Sequence, residues 1–143
     1  MKSKTILLVE DDPKDVELTL IALEEYKLGN QVIVAQNGAV ALDYLYRRGE
    51  FSDHPEGHPV VVLLDLKMPK VNGLEVLRQV KDDSDLKHIP IVVLTSSREE
   101  QDIIESYNLG VNAYVVKPVA FQRFLEVVRQ LGLFWILTNE VPK

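Results

Sequence analysis

Val60-Val61-Val62-Leu63-Leu64-Asp65-Leu66-Lys67-Met68-Pro69 is the stretch from which the fold can be read. Five aliphatic residues run into one carboxylate, and a loop holding Met68-Pro69 and Asn72-Gly73 follows. An unbroken β-branched and leucine run bounded by turn residues is the pattern of a strand buried on both faces. Such a strand belongs to a parallel sheet. Asp65 then stands at its carboxyl end, where open α/β sheets place their ligands.

The same pattern recurs on both sides. Residues 5–9 form a second apolar run that stops at Glu10-Asp11-Asp12. Asp before Pro13 starts a helix, expected to reach about residue 26 with Val16, Leu20 and Leu23 on one stripe. A strand over 31–35 and a helix over 39–48 follow, separated by Asn37-Gly38. Residues 49–59 read as one long polar connection; in it, His54 and His58 are spaced i, i+4, but Pro55 and Gly57 break any helical metal site there. Beyond the opening strand, the spacing predicts a helix over 74–81, a strand over 91–94, a helix over 99–109 closed by Gly110, a strand over 113–116 and a helix over 120–131. Strands and helices thus alternate five times. That alternation calls for an α/β fold, a doubly wound five-stranded parallel sheet with helices on both faces. A single domain is expected over 1–143, with its core at about 4–131 and an apolar C-terminal tail over 132–143.

Composition narrows the functions. A chain of 143 residues with nearly half of them apolar can bury a real core. A net charge of -6 leaves no basic stripe for nucleic acid. With no cysteine, disulfides, thiolate metal sites and cysteine nucleophiles are excluded, which suits a reducing cytoplasm. The N-terminal apolar run is too short for a signal segment or a membrane span.

Every strand but the second delivers polar groups at its carboxyl end: Glu10, Asp11 and Asp12; Asp65; Thr95 and Ser96; Lys117. In a doubly wound sheet these ends share one edge. Carboxylates brought together repel, so the site needs a cation or raised pKa values. Mg2+ suits hard oxygen ligands and keeps several waters. Lys117 can hold a phosphoryl oxygen as a point charge, and Thr95 can donate to another. These parts suit phosphoryl transfer. A carboxylate can itself be the nucleophile, and Asp65, alone on the central strand, is the best candidate. Each residue also has a plainer reading. The opening acids would favour the positive end of a helix, Asp12 as its cap; Asp65 could begin an Asx turn; Lys117 could be a surface lysine and Tyr114 a strand aromatic. Those readings lose because all would have to hold together at one edge.

Four motifs in order carry a resemblance: Ile6-Leu7-Leu8-Val9-Glu10-Asp11-Asp12-Pro13; Val62 to Pro69 with Asn72-Gly73; Ile89-Pro90-Ile91-Val92-Val93-Leu94-Thr95-Ser96; and Ala113-Tyr114-Val115-Val116-Lys117-Pro118. Over residues 4–131 the chain resembles the receiver domain of two-component response regulators. The resemblance implies a flavodoxin-like sheet with strand order 2-1-3-4-5. It implies Asp65 as phosphoacceptor, Asp11 as direct Mg2+ ligand with Glu10 acting mainly through water, and the Lys67 backbone carbonyl as a further ligand; Mn2+ could substitute. Lys117 would bind phosphate, with a cis bond to Pro118. Thr95 would be the switch hydroxyl and Tyr114 the switch aromatic that swings inward on phosphorylation. Ser96 would limit access to the phosphate, and Ser97 and Lys67 would lie near the site entrance. The implied partner is a sensor histidine kinase. The loop before Pro59, Asp85-Leu86-Lys87-His88-Ile89-Pro90 and Leu133-Phe134-Trp135 further resemble the stand-alone receivers of phytochrome-type kinases. The signalling face would be the fourth helix, fifth strand and fifth helix, which with Phe134 and Trp135 could form a homodimer. The chain is thus expected to be a cytoplasmic signalling protein that catalyses only its own phosphorylation and dephosphorylation.

Three other functions use a similar frame. A flavodoxin-like cofactor binder would need a Gly- and hydroxyl-rich phosphate loop after the first strand, where this chain has three acids. A haloacid-dehalogenase-type phosphatase would carry a second Asp two residues after its nucleophile, where Lys67 stands. A receiver-like scaffold that binds partners without phosphorylation would not need the acids and lysine together.

Overall fold

A computed structural model gives the fold and describes residues 5–25, 31–53, 57–68, 71–117 and 121–130. Five strands, β1 (Thr5–Val9), β2 (Gln31–Ala35), β3 (Val61–Leu64), β4 (Ile91–Thr95) and β5 (Ala113–Val116), alternate with five helices, α1 (Pro13–Glu25), α2 (Gly38–Tyr46), α3 (Gly73–Asp82), α4 (Glu100–Asn108) and α5 (Phe121–Gln130). The strands form one sheet in the order β2-β1-β3-β4-β5, and every neighbouring pair is parallel. This is the expected flavodoxin-like receiver architecture.

The near-continuous apolar strands are explained by what covers them. Side chains alternate between the two faces of a strand, and both faces of β1, β3 and β4 are dry, while the edge strand β2 is only partly covered. Leu7, Val9, Val62, Leu64, Ile91 and Val93 join Leu42, Leu45, Val76, Leu77 and Val80 in the larger core, the layer of α2 and α3. Ile6, Leu8, Leu63, Val92, Leu94 and Val115 join Leu23 of α1 and Val127 of α5 in the other.

Local signals set the helix ends. The Asn37 side chain accepts from Val40 N–H at 2.9 Å, and the Asn72 side chain accepts from Glu75 N–H at 3.0 Å, so both act as N-caps. The Asp12 carboxylate does the same for Lys14 N–H at 2.9 Å. Gly110 takes a positive φ of 96° just beyond α4, the left-handed backbone that glycine adopts without strain.

The second helix ends earlier than its sequence pattern suggests. It stops at Tyr46 because Arg47 turns left-handed (φ 54°) and its N–H returns to Asp43 and Tyr44 carbonyls. Arg48 then ion-pairs with Asp43 at 2.8 Å. Within the expected polar connection, Gly49–Phe51 forms a 3-10 turn, held by Phe51 packing edge-on against Tyr44 with centroids 5.3 Å apart. His58 faces His88 across the amino-terminal edge of the sheet; His54, the Lys117–Pro118 bond and the tail with Phe134 and Trp135 lie outside the described residues. No helix among the described residues is long and apolar enough to cross a membrane.

Candidate functional site

The sheet register decides which residues meet. Val9 pairs with Leu64 across β1 and β3, so Glu10 and Asp65 leave adjacent central strands at the same level. Asp65 N–H donates to the Val9 carbonyl at 3.0 Å, continuing the ladder by one residue. Glu10 N–H donates to Ala35 O at 3.0 Å. On the other side Lys117 N–H donates to Thr95 O at 2.8 Å, fixing the exit of β5 against that of β4.

Carboxylate oxygens of Glu10, Asp11 and Asp65 lie within 4.8 Å of one another. Glu10 and Asp65 are buried and Asp11 is exposed, so the group has a closed floor and an open mouth. Three hard oxygen donors at this spacing fit a divalent cation of the Mg2+ or Mn2+ type.

One ammonium serves the acids. Lys117 Nζ donates to Glu10 Oε1, to Asp15 Oδ2 at 2.8 Å and to Asp65 Oδ2 at 3.5 Å. Asp15 is not evident as a site residue in the sequence, where it reads as an ordinary first-turn acid of α1. Its place in the first turn of α1, the helix that leaves directly from the Glu10-Asp11-Asp12 strand end, is the signal that could have found it.

The two ends of the Glu10–Lys117 pair respond differently. Burial pushes the Glu10 carboxyl up from 4.5 to about 7; the Lys117 hydrogen bond opposes this and the Asp65 charge adds to it. Burial alone would lower Lys117, but hydrogen bonds to Asp15 and Glu10, with the charge of Asp65, carry it above its ordinary value. Lys117 is therefore the fixed charge, shared by three acids, and Glu10 is the group that titrates.

The hydroxyl side of the site is a second polar chain. Thr95 is fully buried, and its Oγ1 accepts from Ser97 N–H at 3.3 Å. Ser96 is exposed beside it. Ser97, expected at the entrance, is instead 8% exposed, because its hydroxyl donates to Asp102 Oδ2 at 2.6 Å. Lys67 does stand at the surface, and its ammonium reaches the same Asp102 oxygen at 3.3 Å. Its backbone N–H donates to Asp65 Oδ1 at 3.4 Å. Tyr114, the expected switch aromatic, is buried in this structure, with its hydroxyl donating to Ser97 O at 3.0 Å.

Gly73 completes the loop. A Cβ there would come within 2.3 Å of Asp65 O and 2.7 Å of Leu66 Cα. Only glycine lets α3 start this close to the backbone behind Asp65.

An acid trio that fits a divalent cation, with a shared lysine and a buried hydroxyl beside it, stands at the carboxyl edge of a 2-1-3-4-5 sheet, the frame of a receiver-like protein. Residues 6–129 match the response regulator receiver domain, and the chain belongs to that family. Members of this family are signalling proteins rather than metabolic enzymes, and they pair with histidine kinases. The response regulator Rcp1 of Synechocystis sp. is 39% identical over 139 residues, covering 97% of this chain and 93% of Rcp1. The Mn2+-bound form of Rcp1 aligns with a TM-score of 0.78 over 98% of this chain and 99% of that one. The bacteriophytochrome response regulator AtBRR is 58% identical, with a TM-score of 0.86 over 98% of this chain and all of that one. The phosphorylated cyanobacterial phytochrome response regulator RcpA is 38% identical, with a TM-score of 0.79 over 99% of each chain.

Proposed function

We propose that the protein receives a phosphoryl group on Asp65 from a sensor histidine kinase of the phytochrome type, in the presence of Mg2+, with Mn2+ able to substitute. The observation that carries this reading is Asp65 itself. It is a buried carboxylate at the end of the central strand, one of three acids whose oxygens lie within 4.8 Å, and 3.5 Å from a lysine ammonium. The similarity to a Mn2+-bound and a phosphorylated relative supports it.

The residues divide the work. An Asp65 oxygen attacks phosphorus, the O–P bond forms as the N–P bond of the phosphohistidine breaks, and the imidazole nitrogen keeps the electron pair. Asp11, Asp65 and the Lys67 carbonyl, with Glu10 acting mainly through water, would hold a divalent cation, which would supply charge neutralisation on the phosphoryl oxygens. Lys117 holds one of those oxygens and already stands beside Asp65. Asp15 and Glu10 aim its ammonium and must share it once the phosphate arrives. Thr95 offers its hydroxyl to another oxygen, and Ser96 sets how much room water has to approach.

The phosphoryl group adds about -1.5 to -2 charges. In this structure Tyr114 is seated inward already, so the change is read first by Thr95 and the loop that follows it. That loop leads into α4, whose Ile104 and Tyr107 are about half exposed. The α4-β5-α5 face is therefore the surface that signals to a target or a second copy.

Incubation with phosphoramidate or acetyl phosphate and Mg2+, followed by intact mass, tests the reading. A single phosphoryl adduct is expected, lost on chelation and absent in Asp65→Asn. No adduct with either donor or with a histidine kinase would refute it.

A further inference from the structure

The roles above leave Asp102 unused. It lies in the first turn of α4 and is 6% exposed. One of its oxygens, Oδ2, accepts both the Ser97 hydroxyl at 2.6 Å and the Lys67 ammonium at 3.3 Å. Ser97 Oγ in turn accepts from Glu99 N–H at 3.3 Å, and the Ser97 carbonyl accepts the Tyr114 hydroxyl at 3.0 Å. A single buried carboxylate thus ties the loop after Asp65 to the loop after Thr95. The Ser97 hydrogen bond and the Lys67 charge, working against burial, hold the Asp102 carboxyl below its ordinary value.

Lys67 is free to leave this arrangement. Its side chain is 57% exposed, and beside it Leu66, Met68, Asn72 and Leu74 line a cavity of about 380 Å³. Its own backbone N–H already touches Asp65 Oδ1 at 3.4 Å, so a phosphoryl group on Asp65 would form within one lysine side chain's length of the ammonium.

We infer that Asp102 is a positioning residue for Lys67: it draws the ammonium away from Asp65 in the unmodified protein and yields it to the phosphoryl group once Asp65 is modified. The inference rests on Asp65 being the phosphoacceptor. A phosphoryl group with about -1.5 to -2 charges outcompetes a single carboxylate for one ammonium. When Lys67 moves, the tie between the two loops opens, and Asp102 keeps only its bond to the Ser97 hydroxyl among the contacts described above. Coupling of this kind is reciprocal. Removing the charge of Asp102 must therefore favour the phosphoryl-bound state, and it must do so only through Lys67.

The test is a double-mutant cycle on the full chain, reading the affinity for beryllofluoride, a non-covalent phosphoryl mimic, with Mg2+ by fluorine NMR. Asp102→Asn keeps an acceptor for the Ser97 hydroxyl and removes the charge that holds Lys67. It should bind the mimic roughly twofold to fivefold tighter, the size of one half-exposed ion pair. Lys67→Met, at an exposed position where folding is not at stake, should weaken binding by a similar factor. In the Lys67→Met background, Asp102→Asn should change nothing, and Asp102→Glu alone should restore the parent affinity. Unchanged affinity in either single variant would overturn the inference, as would a gain from Asp102→Asn that persists without Lys67. If the parent protein bound no mimic and formed no phosphoryl adduct, the phosphoacceptor reading would fall, and this inference with it.

Discussion

Glu10 offers the sharpest stability prediction. Its side chain is 3% exposed, and its carboxyl is displaced from 4.5 to about 7, first by burial, against the Lys117 hydrogen bond and with the Asp65 charge. At roughly 1.4 kcal/mol per pKa unit, ionising Glu10 in the folded, cation-free protein costs about 3.5 kcal/mol at most, an upper bound because water and counter-ions can enter at the Asp11 side. The sign follows from proton counting. Between pH 4.5 and about 7 the folded chain holds a proton that the unfolded chain has lost, so stability falls as pH rises through that window and levels off above it. Glu10→Gln removes the titration and keeps an oxygen for Lys117. Urea unfolding of both proteins in chelator should show near-equal stability at the acid end. The variant should become more stable by up to about 3.5 kcal/mol at about pH 8. A difference that stays flat with pH would refute the assignment of the strain to Glu10.

Three further outcomes follow from the same geometry. Adding Mg2+ should raise Tm and flatten the pH slope of the parent protein, by about 2.7 kcal/mol at a hundred times the dissociation constant, with calorimetry as the check; Asp65→Asn should lose most of that gain. Lys117→Met leaves Glu10, Asp15 and Asp65 without their shared cation. It should cost about 3 kcal/mol in chelator yet bind Mg2+ more tightly in a calorimetric titration, since no ammonium competes for the oxygens, while adduct formation slows. Gly73→Ala must push a Cβ away from the Asp65 carbonyl and Leu66 Cα. It should cost about 1–3 kcal/mol in urea unfolding and reduce phosphorylation by displacing the Asp65 loop.

Much of the fold could be read because its central strands are dry on both faces. A strand such as Val61–Leu64 must be apolar throughout, and that run is visible without any partner in view. The site could be read as far as it depends on strand ends, since parallel register brings every carboxyl end to one edge; Glu10, Asp65, Thr95 and Lys117 were placed this way. What stayed hidden sits on helices and in side-chain rotamers. Asp15 and Asp102 both occupy first turns, where an acid is expected for the helix dipole alone. Their reach to Lys117 and Lys67 depends on how α1 and α4 lie over the sheet edge. Ser97 looked like an open hydroxyl because nothing in the sequence marks Asp102 as its partner. The seat of the Tyr114 hydroxyl is not legible because its acceptor, the Ser97 carbonyl, is a backbone atom and so carries no residue signature. The early end of α2 rests on a left-handed arginine, a conformation that side-chain type does not announce.

Asp65 as the carrier of the phosphoryl group can be tested at the level of the single residue. The most direct measurement treats the protein with phosphoramidate and Mg2+, reduces the product with borohydride, and maps the modified peptide by mass spectrometry. An acyl phosphate is converted to homoserine by this treatment, so the account predicts homoserine at position 65 and nowhere else. Homoserine at Asp11 or another acid, or a phosphoryl group that survives borohydride on a hydroxyl or a histidine, would contradict it.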